Sequence, residues 1–161
     1  MLNITLDLID RRILENLQDD ARMRNVDLAG KVGLSPSPCL RRVGNLEQTG
    51  VIRGYATLLD AEAVGLPVSI FVSVTLEKQV ERALKIFEKH IRARPEVMEC
   101  YLMTGDADYL LRVVTADLAA YEKFLIGHLT RIPGVASIKS SFALKQVAYR
   151  TALPIAPEAA E

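Results

Sequence analysis

Three groups of residues invite a chemical reading by type and spacing. The first is Thr104-Gly105-Asp106-Ala107-Asp108-Tyr109, two carboxylates and a glycine between apolar segments. As a plain β-hairpin this is ordinary turn chemistry. As a site, a carboxylate beside exposed backbone groups holds the ammonium and carboxylate of a small amino acid. The residues alone leave both readings open. The second group lies in a helical stretch that opens at Pro36 and ends before Gly50. On its wheel Ser37, Arg41, Gly44, Asn45 and Gln48 fall opposite Cys39, Leu40, Val43 and Leu46, with Arg42 at the edge. Arginine pairs with guanine, and asparagine or glutamine with adenine, so this face suits the edges of DNA bases. A merely solvated face carries more Glu and Lys, and this one holds Glu47 alone. The third group is His90, His128, Cys39 and Cys100. No carboxylate or cysteine stands at ligand spacing beside either histidine, which reads as a helix C-terminal cation or packing residue. The cysteines sit among apolar neighbours and read as inert core thiols. With no P-loop, dinucleotide fingerprint or nucleophile elbow, no catalytic residue, metal site or cofactor is expected.

Positioning these groups requires a folded chain, and the composition supplies one. Half of the 161 residues are hydrophobic, which excludes intrinsic disorder. No apolar run approaches the roughly 18–20 residues that span a bilayer, so no membrane role is expected. The N-terminal residues lack a basic stretch ahead of an apolar one, so no secretory signal is expected and a cytoplasmic protein is. Twenty Lys and Arg balance twenty Asp and Glu. The acids cluster in the first helix and its end, whereas the span 36–53 holds Arg41, Arg42 and Arg53 against Glu47. Zero net charge therefore leaves room for a local basic patch.

The first 50 residues read as three helices. Leu6, Ile9, Ile13, Leu14 and Leu17 recur at three- and four-residue steps from about Asp7. Asn25 is expected to cap a short second helix that Gly33 stops. Ser35 is expected to cap the third, with Pro36 at its first position. Two helices joined by so short a glycine-containing turn form a helix-turn-helix pattern. The stretch 51–60 is expected as a wing-like strand followed by a connecting strand, and 61–67 as a linker.

The second half repeats itself. Pro95-Glu96-Val97 recurs as Pro133-Gly134-Val135, and at the same offset Phe71 matches Tyr109, Phe87 matches Leu125 and His90 matches His128. Each half reads strand, helix, strand, with strands at 68–76, 97–104, 108–115 and 135–147 and helices at 79–92 and 117–131. That order, βαββαβ, is the ferredoxin-like arrangement, with both helices on one face of the sheet. Ile70, Phe71, Val72 and Val74 suggest a sheet apolar on both faces, and its bare face lacks an aromatic pair for stacking bases. A homodimer of sheets is the expectation. The fold class is α+β: a winged helix-turn-helix over 1–60, a linker over 61–67, a βαββαβ domain over 68–150 and a flexible tail over 151–161.

Several segments together resemble the leucine-responsive regulator (Lrp/AsnC) family of transcription factors. They are Ile9-Asp10-Arg11-Arg12-Ile13-Leu14, Ser35-Pro36-Ser37-Pro38-Cys39-Leu40-Arg41-Arg42-Val43, Gly50-Val51-Ile52-Arg53-Gly54-Tyr55, the run from Gly105 to Leu111, and Leu129-Thr130-Arg131-Ile132-Pro133-Gly134-Val135. The resemblance covers about residues 6–148. It implies a regulator of transcription that binds double-stranded DNA, and dimers that assemble into octamers or similar rings. It also implies an amino-acid effector bound near the loop at 105–108. Ser37, Arg41 and Asn45 then face bases, while Arg42, Gln48 and Arg53 hold phosphates. Met103, Thr104, Gly105, Asp106 and Asp108 become the effector-binding set. Ala107 departs from the aromatic residue common in close relatives. The other reading of the same features is an amino-acid-sensing regulatory subunit of a metabolic enzyme, with the N-terminal half as a docking bundle.

Overall fold

The computed structural model describes residues 5–155, which divide into two compact units. One runs through Thr57 and takes in the segment from Ala148, and the other spans Leu58–Val147.

In the first unit, α1 spans Leu8–Asp19, α2 Asn25–Val32 and α3 Pro36–Gln48. Asp7 starts α1 with a reciprocal cap, because each of Asp7 and Asp10 accepts the other's backbone N–H on its side chain. Arg24, not Asn25, holds the N-cap position of α2, and Asn25 is its first residue. Ser35 sits at the N-cap of α3 with Pro36 behind it, although its hydroxyl makes no capping bond. The three helices close around Ile13, Leu14, Leu28, Val32, Cys39 and Leu46. The strands expected over 51–60 do not form in the single chain, since no neighbouring segment offers a ladder to residues 53–60. Leu40, assigned by the wheel to the apolar side, is 61% exposed, because nothing in the three-helix unit reaches over it.

In the second unit, β1 (Val68–Leu76), β2 (Val97–Leu102), β3 (Tyr109–Thr115) and β4 (Val135–Phe142) form one antiparallel sheet in the order β2-β3-β1-β4. Helices α4 (Glu81–Arg92) and α5 (Leu118–Gly127) supply the rest of the βαββαβ arrangement. Its core joins Ile70, Val72 and Val74 of β1 and Leu111 and Val113 of β3 to Phe87 of α4 and Phe124 of α5. Asp117 caps α5 by accepting Ala120 N–H at 2.7 Å. The helix ends at Gly127, and a 3-10 turn, Leu129–Arg131, replaces its expected last turn. Strand β4 stops at Phe142, short of 147, because Ile70 pairs with Phe142 and Ala143 N–H makes the last bond, to Ser69 O. Strict alternation also corrects the expectation of an all-apolar bare face. Ile70, Val72 and Val74 point to the buried side, leaving Phe71, Ser73 and the Arg112–Glu99 ion pair on the other.

Of the expected tail, residues 156–161 lie outside the described residues. Residues 151–155 carry contacts: Gln18 donates from Nε2 to Leu153 O at 3.1 Å and accepts Leu153 N–H at 2.6 Å, while Ile155 packs on the first unit's core.

Phe87 is fully buried and its ring lies 4.4 Å from that of Tyr109. Phe87→Ala should destabilise the second unit by about 3–5 kcal/mol in a urea titration, the range for removing a buried aromatic side chain. A loss below 1 kcal/mol would show that this contact is not central to the core.

Candidate functional site

The polar face of α3 is held outward by the turn before it. Gly33 closes α2 in the left-handed conformation, φ 75°, which glycine adopts without strain. The N–H groups of Gly33 and Leu34 both donate to Ala29 O. Asn25 then donates from Nδ2 to Pro36 O at 2.8 Å, tying the start of α2 to the start of α3. With Cys39 and Leu46 buried beneath, Ser37, Arg41, Asn45 and Gln48 are all exposed. Arg53 is exposed as well. No hydrogen bond or ion pair within the described residues occupies the side chain of Arg41 or Arg53.

Arg42 is different. Its Nη1 donates to Asp7 Oδ2 at 2.7 Å and to Asp10 Oδ1 at 2.8 Å. The residue expected to hold a phosphate is thus tied to the N-terminus of α1. The Asp10 backbone N–H, and then Arg42, hold the Asp7 carboxyl below its ordinary range. Farther along, Tyr55 donates its hydroxyl to Glu47 Oε1 at 2.8 Å. Desolvation, and then that carboxylate, push the phenol to about 12.

In the second unit the loop between β2 and β3 separates its two carboxylates. Met103, Thr104, Gly105 and Asp106 are exposed, and Gly105 turns the chain at φ 126°. Asp108 is only 5% exposed and both its oxygens have protein partners. Oδ2 accepts Leu76 N–H at 2.6 Å, and Oδ1 accepts Gln79 Nε2–H at 2.5 Å. Its backbone accepts from Met103 N–H, closing the hairpin, and donates to Val74 O on β1. The side chain expected to meet an effector is therefore a pin between the hairpin and the segment after β1. It also explains why α4 starts at Glu81 rather than at 79, since Gln79 is drawn to Asp108. Asp106 is the carboxylate that remains available.

Some features escaped the sequence reading. Met98, Tyr101, Leu102 and Met103 form an exposed apolar run along edge strand β2 and into the loop, a pattern the strand's alternation hides. A cleft of about 180 Å³ lies between the ends of α4 and α5, where Arg94 donates to the His128 ring over Ile91, Phe124 and Leu129. His90 donates from Nδ1 to Ile86 O, as a helix C-terminal histidine does. Cys39 is buried as expected, whereas Cys100 is exposed on β2. Among the described residues no cluster of His, Cys, Asp and Glu could hold a metal ion, and no helix is long and apolar enough to cross a membrane.

Comparison with known proteins matches both units. Residues 6–53 fit the winged helix-turn-helix DNA-binding model and residues 69–153 the Lrp/AsnC ligand-binding-domain model. The chain is 56% identical over 150 residues to the Bkd operon transcriptional regulator of Pseudomonas aeruginosa, covering 93% of this chain and 98% of that one. It is 42% identical over 147 residues to the leucine-responsive regulatory protein of Rhizobium meliloti, covering 91% and 94%. A transcriptional regulator of Neisseria meningitidis, solved as its L-methionine complex, superposes with a TM-score of 0.88 at 41% identity, covering 93% and 97%.

The two loop carboxylates should separate in a stability assay. Asp108→Ala leaves the Leu76 N–H without its acceptor and should cost about 2–3 kcal/mol, whereas exposed Asp106→Ala should change stability by less than about 0.5 kcal/mol. Equal losses in parallel urea titrations would refute the division.

Proposed function

The chain belongs to the Lrp/AsnC family of transcriptional regulators, with a DNA-binding helix-turn-helix and an amino-acid-binding domain, and from that premise we propose how its residues divide the work. Helix α3 enters the major groove, where Ser37, Arg41 and Asn45 meet base edges while Gln48 and Arg53 hold phosphates. The carrying observation is the exposed polar face of α3, whose arginine has no partner among the described residues. The working division is a DNA-binding domain over 1–60 and a sensing and assembly domain over 68–150, in a cytoplasmic protein with no catalytic role.

Affinity in this reading comes from symmetry. One unit offers few cations, so a dimer presents two α3 helices to half-sites about 34 Å apart, or a multiple of that, and gains effective concentration. The bare sheet face, with Phe71 at its centre, pairs the two copies. Dimers then join into octamers or similar rings, and the apolar edge at Met98, Leu102 and Met103 suits that second contact.

The effector is a small amino acid seated on the loop between β2 and β3. Its ammonium meets Asp106, its carboxylate meets backbone N–H groups around Thr104 and Gly105, and its side chain lies on Met103. Asp108 contributes by holding the loop's shape. The L-methionine complex of the Neisseria regulator supports an aliphatic amino acid. Binding between dimers shifts the balance of assemblies, and a coupling of about 1–3 kcal/mol gives a 5–150-fold change in DNA affinity.

Two measurements follow. On a duplex selected by the wild type from a random-sequence library, Arg41→Ala should lose about 1–3 kcal/mol and relax preference at one base pair per half-site. Wild-type affinity would remove Arg41 from the reading surface. In a thermal-shift screen of the twenty amino acids, those that raise the wild-type melting temperature should fail with Asp106→Ala, because only ligands that bind the folded state stabilise it. A wild-type shift in that variant would place the effector elsewhere.

A further inference from the structure

We propose that Arg42 is a positioning residue, a brace that sets the rotation of α3 about its own axis and so the direction in which Arg41 and Asn45 point. The proposal rests on the reading of α3 as the DNA-contacting helix and departs from the expectation that Arg42 itself grips a phosphate. The oxygens of the two carboxylates divide without overlap. Asp7 Oδ1 accepts Asp10 N–H and Asp10 Oδ2 accepts Asp7 N–H, which caps α1. The remaining pair, Asp7 Oδ2 and Asp10 Oδ1, both accept from Arg42 Nη1. The capping bonds fix the carboxylates, and the fixed carboxylates fix the guanidinium. Nη1 is committed to the two acids, so a phosphate could meet only Nη2 or Nε, on a guanidinium whose charge two carboxylates already offset.

The packing beneath α3 shows why a brace is needed. Only Cys39 and Leu46 of α3 are buried, Val43 is half-buried and Leu40 faces solvent, so the apolar contact is narrow. A narrow stripe specifies rotation weakly, because rolling the helix changes little buried area. Arg42 and Arg41 are consecutive, about 100° apart around a helix of 3.6 residues per turn, so holding one aims the other. The Asp10 side chain is 17% exposed and that of Arg42 33%, which leaves the inner bond partly shielded from water and salt.

The test uses the full chain, a duplex selected by the wild type, and a scrambled duplex of equal length. Asp7→Asn with Asp10→Asn removes both charges yet keeps the caps, since asparagine caps helices as well as aspartate does. This acid-pair variant and Arg42→Ala should each lower the ratio of selected to scrambled affinity by about tenfold, as expected for losing hydrogen bonds to charged groups. The triple variant should be no worse than either, and the slope of log K against log salt should stay at the wild-type value. A phosphate ligand behaves oppositely. Neutralising the acids would then leave affinity unchanged or raise it, and Arg42→Ala would reduce the salt slope by about 1. That pattern, or an unchanged ratio in the acid-pair variant, overturns the proposal. If circular dichroism shows Arg42→Ala unfolded, the acid-pair variant decides alone. A wild type that selects no sequence overturns the reading of α3 itself.

Discussion

The turn between α2 and α3 is the constraint from which the N-terminal unit's function follows. Only Gly33, Leu34 and Ser35 lie between the helices, and so short a link leaves few ways to place one against the other. The glycine supplies the left-handed residue that ends α2, and Pro36 restarts the chain with its φ already set. Asn25 then ties the two helix starts together. Once α3 is so placed, the alternation of small, apolar and polar residues along it decides what faces outward. Burying Cys39 and Leu46 chooses the side of α3 that turns outward, and in the proposed reading the bonds from Arg42 to Asp7 and Asp10 set its rotation.

A comparable logic governs the second unit. The β2–β3 hairpin is closed by backbone bonds, and its one buried carboxylate, Asp108, ties it to Leu76 at the end of β1 and to Gln79 beyond it. A loop pinned from within can expose its other side without losing shape, and the exposed side holds Gly105 and Asp106. In the proposed reading an effector there meets a surface that has already lost much of its conformational freedom, which lowers the entropic cost of binding.

The element types and their order were legible because periodicity and punctuation agree. The helical stripe from Ile9 to Leu17 and the repeated Pro-x-Val before two strands each report local physics that survives folding. Long-range partnerships were not legible. A helical wheel puts Arg42 at the edge of α3, but no wheel shows Asp7 and Asp10 waiting across the unit. Asp106 and Asp108 have the same strand parity and chemistry; only the position of Gln79 and the Leu76 N–H makes one a pin. The strands expected at 51–60 fail for a related reason, since a strand's existence depends on a neighbour that the segment itself does not encode. The contact of Leu153 with Gln18 joins residues from opposite ends of the chain, with no local signal at either.

Balanced charge ties these observations together. A chain with twenty basic and twenty acidic residues has no bulk attraction to a polyanion, and the brace on Arg42 removes one more cation from the surface. In the proposed reading the DNA-facing side keeps Arg41 and Arg53, both exposed, and gains affinity when symmetry repeats them. Guanine-N7 methylation protection on a selected duplex probes this most directly, because N7 lies in the major groove. The account predicts two equivalent protected patches, spaced by about 10–10.5 base pairs or a multiple of that. A single patch, or no N7 protection on a duplex that the protein has bound, would contradict it.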